Sequence, residues 1–143
     1  MSIEAVVTNF DHLLEQIDEA PESRQAAEQR RTIERFLRGA QHEGYLLGLI
    51  TGLSAERLGS VLDRHFGADS LDYFSVIVAG AADPAGPAGQ EPYDVALRTL
   101  GVPPERCAAV GSTESELPAG PLGFAACVPL PMAMEAICAD YAE

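Results

Sequence analysis

Asn9 and Asp11 are the first residues along the chain whose types and spacing could do chemistry. They stand two apart, at the end of the apolar run that begins at Ile3 and passes through Ala5, Val6 and Val7. In extended backbone, residues two apart point the same way. Asp11 carries a charge and can take or give a proton. Asn9 mimics a charged group with an amide dipole. A short apolar strand ending in such a pair is a common way to place chemistry at the carboxyl edge of a parallel sheet.

The rest of the composition bounds what that edge can serve. The chain has 143 residues, enough for one domain with a sizeable core, and 1–143 is read as a single domain. Hydrophobic content of 47% and charged content of 22% are ordinary for a globular protein. The net charge of −13 is not, and it argues against nucleic acid and anionic membrane as partners. It leaves room for a local anion site or a basic protein partner. Cys107, Cys127 and Cys138 lack metal-ligand spacing and sit in apolar settings. They read as reduced, buried thiols, and so as a cytoplasmic protein. No apolar run is long enough to span a membrane.

Strands and helices alternate around the pair. Ile3 to Asn9 reads as a buried strand. The pattern from Asp11 to Ser23 is weak. Glu22 to Gln41 reads as a helix, with Ala26, Ile33, Phe36, Leu37 and Ala40 on one face. Its arginines, Arg30, Arg31, Arg35 and Arg38, read as a solvated face rather than a site for an acidic partner. Tyr45 to Ile50 is a second strand, ending at Thr51-Gly52. Ser54 can cap a third element, a helix in which Leu58, Leu62 and His65 share a face. His65 and His42 read as helix-end histidines. Ser75 to Ala79 is a third strand, followed by a Gly/Pro/Ala-rich loop, Gly80 to Gln90. A helix from about Pro92 to Leu100 turns at Gly101 and Pro103-Pro104 into a fourth strand, Cys107 to Val110. A short fifth strand, Gly123 to Val128, and a terminal helix, Met132 to Tyr141, complete the chain. This order predicts an α/β fold: a five-stranded, mainly parallel sheet with helices on both faces.

The stretch Pro92 to Ser112, with its helix, Leu100-Gly101-Val102-Pro103-Pro104-Glu105-Arg106-Cys107 turn and strand, strongly resembles the haloacid dehalogenase (HAD) superfamily of hydrolases. Val6 to Leu14 is similar to that family's first motif, and Ile50-Thr51-Gly52 to its second. Ser70 to Ile77 resembles the stretch before its third. The resemblance implies a Rossmann-like HAD core over most of the chain. In the family, the first aspartate of the opening motif attacks phosphorus and the second acts as acid and base. A Thr or Ser hydroxyl and a lysine hold the phosphoryl oxygens, and acidic groups after the fourth strand help bind magnesium.

Carried onto this chain, the resemblance puts Asn9 at the nucleophile position and keeps Asp11 at the acid/base position. Thr51, with Gly52, fits the phosphate-hydroxyl position. The lysine-bearing segment has become Gly86 to Gln90, and the chain contains no lysine at all. The metal-binding segment has become Gly111-Ser112-Thr113, with Glu116 as the residue that could replace a later acidic ligand. Nucleophile, lysine and principal metal carboxylate are therefore all replaced. The sequence predicts a protein that has lost magnesium-dependent phosphatase activity, uses no cofactor, and acts in binding, regulation or assembly. Mg2+ would matter only if residual family activity persisted. The competing reading is a divergent HAD-type hydrolase. In it Asp11 would work as acid or base, and Thr51, Gly52, Ser112 and Thr113 would hold an anion. Between the first motif and Thr51 there is one candidate helix and no room for a large cap domain. The uncapped edge would then meet a protein partner or a second copy.

Overall fold

The computed structural model describes residues 3–81, 91–112, 123–130 and 132–133. Five strands form one sheet in the order β3-β2-β1-β4-β5, and every pairing is parallel. They are β1 (Ala5–Asn9), β2 (Leu46–Ile50), β3 (Val76–Val78), β4 (Cys107–Gly111) and β5 (Ala126–Pro129). The strand carrying Asn9 is thus the central one, flanked by β2 and β4. All five of its residues are buried.

That burial follows from helices on both faces. Alternate residues of β1 serve different cores. Val6 packs with α1 (Asp11–Glu19), α2 (Arg24–His42) and α3 (Ala55–Phe66), through Leu14, Ile17, Phe36, Leu37, Leu58 and Val61. Ala5 and Val7 pack with α4 (Glu91–Leu100), through Tyr93, Ala96 and Leu97. A strand buried on both faces reads as a continuous apolar run, which is why Ala5 to Val7 carries no polar alternation. Gly48 of β2 faces α4, where an added Cβ would lie 3.1 Å from Val76 Cγ1 and 3.6 Å from Leu100 Cδ1. Glycine there lets α4 approach the sheet closely. Gly101, at φ 70°, ends α4, and its N–H donates to Leu97 O at 2.9 Å.

Four elements lie close to their expected bounds, with α2 starting at Arg24 rather than Glu22. The Ser23 hydroxyl accepts from Ala26 N at the start of α2, and Ser54 accepts from Arg57 N at the start of α3. α4 and β4 lie within a residue of their expected bounds. The stretch after Asp11 differs. It forms α1, so the β1–β2 connection holds two helices rather than one. Phe10, Leu14 and Ile17 supply a helical apolar face, all buried, and Phe10 meets Phe36 edge-on at 6.2 Å between ring centroids. The face is only two turns long, so its period is faint in sequence, and tertiary burial rather than propensity stabilises it.

Cys107 is buried as expected, and that burial pushes its thiol up to about 12. Cys127, on β5, is exposed instead: β5 is an outer strand of the sheet. Cys138 and most of the expected terminal helix lie outside the described residues, as does the Gly/Pro/Ala-rich loop beyond Ala81. No helix among the described residues is long and apolar enough to cross a membrane.

Candidate functional site

β1 delivers Asn9 to the carboxyl edge, where it is 3% exposed. Its Oδ1 accepts the Asp11 N–H at 3.1 Å. This is an Asx turn, and it satisfies one of the free N–H groups at the start of α1. The amide oxygen at the nucleophile position is therefore engaged in starting a helix.

Asp11 opens α1 and leans across to the end of β2. Its Oδ1 accepts from the Thr51 hydroxyl at 2.6 Å, and its Oδ2 accepts from the Gly52 N–H at 2.7 Å. Both are short hydrogen bonds. Thr51 is fully buried and is itself fixed. Its N–H donates to Val78 O at 3.0 Å, its carbonyl accepts from Ala81 N at 2.8 Å, and its hydroxyl accepts from Leu53 N at 3.1 Å. The carboxylate at the acid/base position thus has both oxygens tied to the second motif.

Ser112 follows β4. Its N–H donates to Asn9 O at 3.0 Å, and its hydroxyl lies 3.5 Å from the Leu13 N–H. Asn9, Asp11, Thr51, Gly52 and Ser112 are therefore brought together at one edge, as their positions in the sequence predict. Thr113, Glu116 and the segment Gly86 to Gln90 lie outside the described residues.

A second polar cluster escaped sequence reasoning. Asp18, at the other end of α1, accepts from Arg64 at 2.7 Å and from His65 Nε2 at 2.9 Å, with Arg57 at 3.8 Å. The hydrogen bond from His65, helped by the charge of Arg64 and Arg57, holds its carboxyl below the ordinary value. His65 is the helix-end histidine near the core that the sequence predicts, with a side chain 5% exposed. The signal for its partner was the spacing Asp11, Leu14, Asp18, which puts both carboxylates on one helical face. It becomes readable only once α1 is known to be a helix.

This geometry can be set beside known proteins. A family model described as haloacid dehalogenase-like hydrolase matches residues 4–121. The chain belongs to that family. The match spans β1 through β4 and all four α-helices, including the stretch from Pro92 to Ser112. A search of curated proteins finds no match to this HAD chain. Solved structures share its fold at low identity. A candidate beta-phosphoglucomutase from Thermotoga maritima is 16% identical with a TM-score of 0.59, covering 93% of this chain and 97% of that one. A HAD phosphatase from Thermococcus onnurineus is 13% identical with a TM-score of 0.56 and the same coverage, 93% and 97%. CbbY from Rhodobacter sphaeroides, an aspartate-to-asparagine mutant in complex with xylulose-(1,5)-bisphosphate, is 20% identical with a TM-score of 0.58, covering 88% and 85%.

HAD enzymes normally use Mg2+, a hard cation that prefers carboxylate oxygens. The described residues of this HAD chain do not fit it. Asn9 offers an amide and Ser112 a hydroxyl where the family places carboxylates, and the carboxylate of Asp11 is held by Thr51 and Gly52. Among the described residues, no three His, Cys, Asp or Glu side chains come together as a metal site. Nor does the β1–β2 connection carry a large cap. α1 and α2 fill it, and both bury apolar faces in the core.

Proposed function

We propose that this HAD chain has left the magnesium-dependent phosphatase chemistry of its family and serves in binding, regulation or assembly. The observation that carries this reading is Asn9 at the end of β1, its Oδ1 accepting the Asp11 N–H. Attack on phosphorus needs an anionic oxygen lone pair. An amide oxygen carries no full charge, and this one is already an acceptor within the backbone turn.

The neighbouring positions support the same reading. A general acid must reach the leaving oxygen, whereas both oxygens of Asp11 are engaged at 2.6 and 2.7 Å. The absence of lysine from the chain removes the family's cationic phosphate ligand. Each such group is typically worth about 3–4 kcal/mol of transition-state stabilisation, so their combined loss slows phosphoryl transfer by many powers of ten. The CbbY structure is itself an aspartate-to-asparagine mutant and keeps the shared fold, so a change of that type is compatible with the architecture. With no large cap between β1 and β2, the carboxyl edge is the face we assign to a protein partner or a second copy. The net charge of −13 favours a partner with a basic face.

The test is turnover of a generic phosphoester with Mg2+ by the purified chain. No hydrolysis above the buffer rate is expected. Enzyme-like turnover that Asp11→Asn abolishes would overturn the loss of activity. Native mass measurement tests the assembly half: a homo-oligomer or a stable partner is expected, and a strict monomer with no partner in its native extract counts against it.

A further inference from the structure

We propose that Asp11 is an internal anion ligand, filling an oxyanion cup made by the Thr51 hydroxyl and the Gly52 N–H. The proposal rests on the reading of the carboxyl edge given above and says what occupies it. The chain blocks its own anion site.

The two donors are adjacent in sequence and converge on one carboxylate, one to each oxygen, at 2.6 and 2.7 Å. That is the pattern a small oxyanion accepts, whether carboxylate, sulfate or phosphate. The hydroxyl is preset for it. A threonine hydroxyl has one hydrogen, and its lone pair accepts from Leu53 N at 3.1 Å, so the hydrogen is left to point at the anion. The backbone around the cup is also fixed without Asp11. Thr51 N donates to Val78 O, Ala81 N donates to Thr51 O, and Gly80 N donates to Leu53 O at 2.7 Å. Removing the carboxylate therefore leaves two aimed donors in place rather than collapsing them. Gly52 is exposed and Asp11 is half-buried, so the vacated cup opens to solvent.

Occupation from within explains why an outside anion is excluded. A group tethered beside its site competes at an effective concentration of millimolar order or above. The apparent affinity for a free oxyanion falls by the fraction of time the cup is empty. Asp11 also repels a second anion by charge. The ligand class of the emptied cup is a small oxyanion held without metal, with inorganic phosphate as the probe.

The experiment titrates inorganic phosphate into the full chain, in chelator and at matched ionic strength. It follows thermal unfolding and the phosphorus NMR linewidth. Because no phosphoester or metal is present, the result does not depend on whether the chain turns over substrate. Wild type is expected to show no change in melting temperature and no line broadening. Asp11→Ala should melt lower in chloride, rise by several degrees in phosphate, and broaden the phosphate line. The Asp11→Ala, Thr51→Val double variant should lose that response. Asp11→Ser, a shorter side chain suited to a helix start, is a second opening of the cup and should behave like Asp11→Ala. Phosphate binding by wild type as tight as by the variants would overturn the proposal, and so would folded variants indifferent to phosphate.

Discussion

Both ends of α1 are held to the β2–α3 segment by a carboxylate, but the two are held by different chemistry. Asp11 is bound by a buried hydroxyl and a backbone N–H, both neutral and fixed by the sheet. Asp18 is bound by Arg64, Arg57 and His65. The arginine side chains are 58% and 63% exposed, and the cluster borders an open cleft of about 380 Å³. One attachment is made of short hydrogen bonds from neutral donors, the other adds the charge of two exposed arginines. The contrast separates a position in the family's first motif from an ion-pair cluster between two helices. At the first, the anion is gripped by groups suited to a ligand. At the second, two exposed arginines and a nearly buried histidine meet one carboxylate across two helices.

The comparison requires that α1 be anchored between its ends by apolar burial, and the largest expected effect tests that. Ile17 is fully buried between the two carboxylates. Ile17→Ala should cost about 2–5 kcal/mol of unfolding free energy in a urea titration. A cost below about 1 kcal/mol would mean that the carboxylates, not the apolar face, hold the helix. The next effect belongs to the Asp11 end. Thr51→Val keeps the shape but leaves Asp11 Oδ1 and the Leu53 N–H without their partner. It should cost about 1–3 kcal/mol. That cost should be the same at low and high salt, since the lost bonds are short and partly buried.

How much of this was legible differs between the two ends for a physical reason. Asn9, Asp11, Thr51 and Ser112 could be placed together from sequence because each ends a strand of one parallel sheet. Strand order and crossover handedness fix where such ends meet. The bonds among them were not legible, because a two-residue spacing says which way side chains point and not what they reach. Sequence places Asp11 at the acid/base position, and the structure shows its two oxygens bonded to Thr51 and Gly52. The other end was invisible. Asp18 pairs with residues on another helix, through a contact that depends on how α1 packs. The short apolar face of α1 was too faint to identify it as a helix. Cys127 was misplaced for a related reason: its apolar neighbours suggest burial, but the place of β5 at the sheet's edge is a property of the whole topology.

The smallest effect, at the Asp18 end, sharpens the contrast. Asp18→Asn should cost about 0–1 kcal/mol near neutral pH, and the cost should shrink as salt is added. Its pH dependence has a definite sign. The native state holds the Asp18 carboxyl below the ordinary carboxylate value, through the His65 hydrogen bond and the charge of Arg64 and Arg57. A group with a lowered native value contributes stability that is fully present above the unfolded value and is lost as pH falls through the native one. The groups facing it are Arg57, Arg64 and His65 of α3, with Glu56 on the same cleft. The other carboxylates are common to wild type and variant, so their titration largely cancels in the difference. The gap between the two proteins, measured by denaturant midpoint, should therefore be open at about pH 5 and close as pH falls below about 4. A gap that widened on acidification would mean that Asp18 is bound more tightly as a neutral acid, and the coulombic account of that end would have to be abandoned.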